Sequence, residues 1–166
     1  MPGKLMSISF SPLLPEHQDL LWNFLHVALW DPPPAGLRPL ETLQLPHVRI
    51  YAEDWGRASD IGVIAKIEGE DAPIGACWMR LVPDRMGLAY INEHTPQLGI
   101  ALLPDWQHKG YGKLMMLAAL DAARQRGIEQ VSLTVHPQNP AAGMYGSCGF
   151  VQTGIRNSYL LMQVTL

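Results

Sequence analysis

Charge is scarce in this chain. Of its 166 residues 16% are Asp, Glu, Lys or Arg, and the formal net charge is −3. A general nucleic-acid binder needs an excess of Lys and Arg to neutralise phosphates, so no nucleic-acid partner is expected. Long apolar runs are missing too. None approaches the ~20 residues that cross a bilayer, and no membrane partner is expected. Cysteine is limited to Cys77 and Cys148, too few for a disulfide framework. The opening stretch Met1 to Pro12 lacks the apolar centre of a signal peptide, so a cytoplasmic location is expected. The six histidines show neither H-E-x-x-H nor another paired ligand spacing, and no metal is expected.

What is present is a globular pattern, with 48% hydrophobic residues in a chain long enough for one domain over residues 1–166. Ser7 to Phe10 alternates as a first strand. Pro15-Glu16 opens a helix in which Leu20, Leu21, Phe24, Leu25 and Ala28 recur at helical spacing. Asp31-Pro32-Pro33-Pro34 stops it, because consecutive prolines cannot continue a helix. Leu40 to Trp55 reads as one or two short helices. Ile61 to Glu68 and Pro73 to Val82 form a hairpin around Gly69. After a loop over residues 83–96, a strand at Leu98 to Leu103 leads into a helix from about Gly112, with an interior stripe of Met116, Leu117, Leu120 and Ala123 and a stop at Gly127. Val131, Leu133 and Val135 alternate as the next strand. Strand, helix and strand over residues 98–136 make a βαβ unit, which requires parallel strands. A short helix after Asn139 and closing strands at Phe150 to Ile155 and Tyr159 to Leu166 complete an α/β (α+β) domain, a mixed sheet flanked by helices.

Between that strand and that helix lies Gln107-His108-Lys109-Gly110-Tyr111-Gly112. A glycine-containing loop entering a helix N-terminus turns backbone N–H groups toward one point and adds partial positive charge, which suits an anion. Gly110 and Gly112 permit positive φ and a close approach by a phosphate. The dinucleotide fingerprint fails, since Gly110-Tyr111-Gly112 is followed by Lys113, Leu114 and Met115 without a third glycine. The P-loop fails as well: Gly112-Lys113 runs into Leu114, and Gln107 stands at the first glycine. The hexapeptide fits Q/R-x-x-G-x-G/A instead. Together with Leu102-Leu103-Pro104 before it, and Asn139 and Tyr145-x-x-x-Gly149-Phe150 after it, the segment resembles the GNAT superfamily of N-acetyltransferases.

That resemblance implies a mostly antiparallel sheet whose parallel βαβ strands splay, with acetyl-CoA as co-substrate. The backbone of Leu102 and Leu103 would meet the acetyl-pantetheine end. Gln107, His108, Lys109, Gly110, Tyr111 and Gly112 would hold the pyrophosphate, and Asn139 would touch the cofactor. Tyr145 is the expected general acid, a phenol that stays protonated at neutral pH and can donate to a departing thiolate; the competing reading makes it a core aromatic and Asn139 a helix cap. The family often has a glutamate base at the start of the fourth strand, where this chain has Gln97. Glutamine cannot act as a base, which leaves Glu93, His94 and His136 as candidates, or an amine that needs no protein base. Trp30, Tyr51 and Trp55 are expected to line an acceptor pocket. The acceptor would be a small-molecule amine or a peptide or protein amine. A CoA-binding sensor or assembly module is the competing function, and a homodimer is conceivable through the final strands.

Overall fold

The computed structural model of this chain describes residues 6–166. Seven strands form one sheet: β1 Ile8–Pro12, β2 Ile61–Ile67, β3 Gly75–Arg80, β4 Gln97–Leu102, β5 Gln130–Val135, β6 Val151–Arg156 and β7 Tyr159–Thr165. Their spatial order is β1-β2-β3-β4-β5-β7-β6. Every neighbouring pair is antiparallel except β4 and β5, as a βαβ crossover between those two requires. The helices are α1 Gln18–Ala28, α2 Pro46–Arg49, α3 Tyr111–Gln125 and α4 Ala141–Ser147, with 3-10 turns at Pro15–His17, Leu40–Gln44 and Pro104–Trp106. The expected α/β (α+β) architecture is therefore the one observed. None of the described helices is long and apolar enough to cross a membrane.

Two cores lie on opposite faces of the sheet, because side chains alternate along each strand. On one face Met115, Met116, Ala119, Leu120 and Ala123 of α3 pack over Val63, Ala65, Cys77, Met79 and Leu133. On the other, Leu21, Phe24 and Leu25 of α1 pack with Ile64, Ala76, Trp78 and Ala101. Helices on both faces explain why β3 is buried along its whole length and reads as apolar from Gly75 to Met79 before ending at Arg80. The expected α3 stripe needs one correction. Leu117 is exposed, and Met115 and Ala119 take the interior positions beside Met116, Leu120 and Ala123. At 100° per residue Leu117 falls roughly opposite Met115.

Trp78 sets the local shape beneath the site. It pairs in register with Gly62 on one side and Gly99 on the other, and its indole N–H donates to the Tyr51 carbonyl at 3.0 Å. A Cβ at Gly99 would stand 2.6 Å from the Trp78 ring. Only glycine leaves that large ring room between the neighbouring strands.

Candidate active site

β4 and β5 meet at a single position. Gln97 is opposite Ser132, and the Ser132 N–H donates to the Pro96 carbonyl at 3.1 Å. Beyond that point the two strands part. Hydrogen-bond parity then decides which main-chain groups face the gap. Leu103 N–H donates to the Ile74 carbonyl at 2.8 Å, so in the antiparallel β3–β4 register Ala101 and Leu103 turn toward β3. Ile100 and Leu102 turn their amides toward the gap. On β5, Leu166 N–H donates to the Glu129 carbonyl at 2.8 Å, and the same parity in the β5–β7 register turns Thr134 into the gap. Of the two leucines expected to meet a ligand, Leu102 therefore presents its backbone and Leu103 has its N–H committed elsewhere.

The loop at the mouth of the gap is built for an anion. Gln107 closes it by donating Nε2–H to the Leu102 carbonyl at 2.8 Å. Gly110 takes φ +94° immediately before α3, a conformation that is strained for a residue with a Cβ. The second left-handed residue is His108 at φ +62°, not Gly112, which lies inside α3 with room for a Cβ limited by Met144 at 3.3 Å. No side chain among the described residues caps the N-terminus of α3, and no acid lies in its first turn. Among the described residues, the N–H groups of His108, Lys109 and Gly110 donate to no backbone carbonyl. These donors are left for a ligand. Lys109 stacks its ammonium over Trp106 at 5.4 Å, and Trp106 meets Tyr111 edge-on at 6.0 Å. Tyr111 itself is buried and its hydroxyl accepts the Met6 N–H at 2.8 Å, so this residue holds the loop down.

A cavity of about 670 Å³ lies along the gap. Its wall draws on both cores: Leu25, Val48 and Trp78 come from the α1 face, and Leu98, Leu133 and Tyr145 from the α3 face. The opening between β4 and β5 thus connects the two sides of the sheet. Trp30, Tyr51, His136, Asn139 and Tyr145 all lie on this wall. Tyr145 packs against Phe150 at 6.3 Å, and burial, with Cys77 nearby, pushes its phenol pKa well above the usual value. Its hydroxyl has no hydrogen-bond partner among the described residues. Asn139 accepts the Ala141 N–H at 2.9 Å through Oδ1, so it shapes the turn into α4 and keeps its Nδ2 donors for the cavity.

Other expected residues are elsewhere. Glu93 and His94 have side chains 81% and 86% exposed and face one another at 3.4 Å, and neither lines the cavity. Trp55 is a core residue, buried, with its indole N–H donated to the Leu13 carbonyl at 2.8 Å and its ring 5.2 Å from the Arg80 guanidinium. His136 is on the wall between Trp30 and Tyr159, at 5.5 and 5.7 Å. Its Nδ1 accepts the Gln138 N–H at 3.0 Å, which leaves the proton of the neutral ring on Nε2. It offers a donor where a base needs a lone pair.

Gln97 has a role that its position alone did not reveal. Its side chain is buried where the strands part, and Oε1 accepts from the Tyr51 hydroxyl at 2.5 Å and from the Ala89 N–H at 3.2 Å. Ser132 Oγ donates to the Ala89 carbonyl at 2.6 Å. Arg156 donates to the Leu88 and Tyr90 carbonyls at 3.1 and 3.0 Å. The four of these bonds that reach Leu88, Ala89 and Tyr90 fasten that stretch of the loop across the cavity. Burial also pushes the Tyr51 phenol pKa up to about 12. Among the described residues Gln97 Nε2 is buried without a partner, and Gly87 gives it space, since a Cβ there would lie 2.7 Å from that nitrogen.

The family described as Acetyltransferase (GNAT) matches residues 22–150. A mycothiol acetyltransferase from Renibacterium salmoninarum is 28% identical over 148 residues, covering 88% of this chain and 41% of that protein. The ribosomal protein bS18-alanine N-acetyltransferase of Haemophilus influenzae is 33% identical over 69 residues, 42% of this chain and 47% of that one. The chain thus spans less than half the length of either relative. Among solved structures, the PaiA N-acetyltransferase from Thermoplasma acidophilum in complex with coenzyme A superposes with TM-score 0.65 at 18% identity, over 97% of this chain and all of that one.

Proposed function

The chain belongs to the GNAT acetyltransferase family, and from that premise we propose that it transfers the acetyl group of acetyl-CoA directly to a primary amine. The splay of β4 and β5 carries this reading, because unpaired strand amides at Ile100, Leu102 and Thr134 suit an amide-rich pantetheine arm that pairs as a strand would. The uncapped N-terminus of α3 suits its pyrophosphate. Acetyl-CoA supplies an activated thioester. Tyr145 then donates a hydrogen bond to the sulfur as negative charge develops, Asn139 Nδ2 holds an amide carbonyl of the arm, and the amine approaches from the side of α1. The amine nitrogen forms the new amide bond, the C–S bond breaks, and the nitrogen's surplus proton ends on the thiolate.

This is tested by titrating acetyl-CoA into the protein by calorimetry, with NAD and ATP as controls, and then measuring thiol release over a broad amine panel. Binding selective for acetyl-CoA and CoA is expected. Gly110→Val should weaken it by about tenfold, because a branched residue is strained at that φ. A folded protein that takes up no acetyl-CoA overturns the proposal. Selective binding without thiol release from any amine would favour the competing module that binds CoA without turnover.

Proton removal from the amine is proposed to occur before its nitrogen attacks the thioester carbonyl. Glu93 and His94 lie off the cavity, Gln97 has no basic atom, and His136 Nδ1 is already engaged. His47 also lines the cavity, on the exposed side of α2. With a lysine-like amine of pKa ≈ 10.4, kcat/KM should therefore rise about tenfold per pH unit from 6.5 to 8.5, following the free amine. A plateau near pH 7 that disappears in His47→Ala would instead identify an enzymic base.

A further inference from the structure

The acceptor end of the cavity carries no carboxylate: no Asp or Glu lines it among the described residues. Two guanidiniums do, Arg38 and Arg85. Arg85 is exposed and takes part in no ion pair among the described residues. Arg38 is held from behind. Its Nε and Nη2 donate to the two oxygens of Asp31, at 2.9 Å each, and Nη2 also reaches the Tyr159 hydroxyl at 3.4 Å. Asp31 stands behind the guanidinium and off the wall, and Nη1 has no protein partner among the described residues. His136, beside Tyr159, contributes a further N–H donor. Trp30, Tyr51, Trp78 and Tyr159 give the wall its aromatic surface, beside the aliphatic Leu25, Leu29, Val48 and Met86.

Such a lining repels a polycation, which would need carboxylates to replace its water. It complements an apolar body bearing an acid group. Resting on the acetyl-transfer reading above, we propose that the acceptor is a small aromatic amine that carries a carboxylate, recognised by Arg85 and the free edge of Arg38. The amine reaches toward Tyr145 through the gap, and the carboxylate stays at the rim between the two arginines. Arg85 lies in the turn closed by the Met86 N–H donating to the Pro83 carbonyl at 3.1 Å, three residues before the Leu88 to Tyr90 stretch that Gln97, Ser132 and Arg156 fasten over the cavity.

The test uses matched sets: phenylalanine, phenylalanine amide and phenethylamine; tryptophan and tryptamine; and spermidine. Each is titrated by calorimetry into protein saturated with CoA, which reads the pocket without turnover, and each is assayed for thiol release with acetyl-CoA at a fixed concentration of free amine. The carboxylated members should bind about tenfold more tightly than their neutral partners, the scale of one charge-assisted contact. Arg85→Ala should bring that ratio close to one while acetyl-CoA affinity is unchanged. Arg85→Glu should reverse it in favour of phenethylamine and spermidine. Neutral or cationic members binding as well as the acids, or no binding by any acid, overturns the inference. Loss of acetyl-CoA binding itself would instead overturn the transfer reading on which it rests.

Discussion

Replacing Tyr145 by Phe is expected to lower kcat by about a hundredfold, with the affinity for acetyl-CoA changed less than about twofold. The magnitude follows from two pKa values. A phenol already at pKa ≈ 10 is a weaker acid than a thiol at ≈ 8.5, and burial pushes the Tyr145 phenol higher still. Complete proton transfer to the thiolate is therefore uphill by at least ~2 kcal/mol at one pK unit per 1.36 kcal/mol. What remains is a hydrogen bond that strengthens as charge develops on sulfur, which places the effect at the lower end of the 10²–10⁴-fold range for positioned proton donors. The raised pKa also has a sign. The protonated, donating form is favoured below the folded pKa and is lost only as pH rises through it, so kcat should show no alkaline decline at pH 10, where an exposed phenol is half ionised. A Phe variant with unchanged kcat would mean that water or the amine's own proton serves the sulfur, and that Tyr145 is only a core aromatic.

The parts of this site that sequence reading reached are local ones. Gln107, Gly110 and Tyr145 lie within a strand, a loop and two helices that follow one another along the chain, so spacing places them together. Even there, detail depended on conformation. His108 rather than Gly112 takes the left-handed turn, and Leu103 has its N–H bound to Ile74, because parity in the β3–β4 pairing is set by a strand far upstream. The acceptor wall was legible only in pieces. Trp30 and Tyr51 reach it, but Trp55, four residues beyond Tyr51, turns into the core beneath Arg80. Glu93 and His94 are close to β4 in sequence and still point into solvent. The absence of carboxylates on the wall among the described residues, which carries the acceptor inference, has no sequence signature at all. It arises because segments around Trp30, Arg38, Tyr51, Arg85, His136 and Tyr159 converge there.

Arg80 is the clearest case of a residue that no motif announces, and removing it should be the most damaging single change to the fold. Its guanidinium is buried with the Asp60 carboxylate, side chains 1% and 2% exposed. Nε and Nη2 donate to the two Asp60 oxygens at 3.0 and 2.7 Å. The carbonyls of Ile50, Glu53 and Asp54 accept from the same group. Asp60 Oδ2 in turn accepts the N–H groups of Gly56 and Arg57 at 3.0 and 2.9 Å. One side chain at the end of β3 thus organises residues 50–60, the segment that carries Tyr51 to the cavity and Trp55 into the core. Arg80→Met fills similar volume but leaves a buried carboxylate uncompensated and three carbonyls without their donor, which should destabilise the protein by about 3–5 kcal/mol. That is a large share of the roughly 5–15 kcal/mol that holds a typical domain together, and for a chain of this length it corresponds to a fall in Tm on the order of 10 °C. Asp60→Leu alone should cost a similar amount, because it strands the guanidinium. The double variant Arg80→Met with Asp60→Leu should recover part of the loss, since neither charge then remains buried and alone. Urea unfolding of the four proteins measures this directly. Additive losses in the double variant would mean that the carbonyl contacts to Ile50, Glu53 and Asp54, and not the ion pair, hold the segment in place.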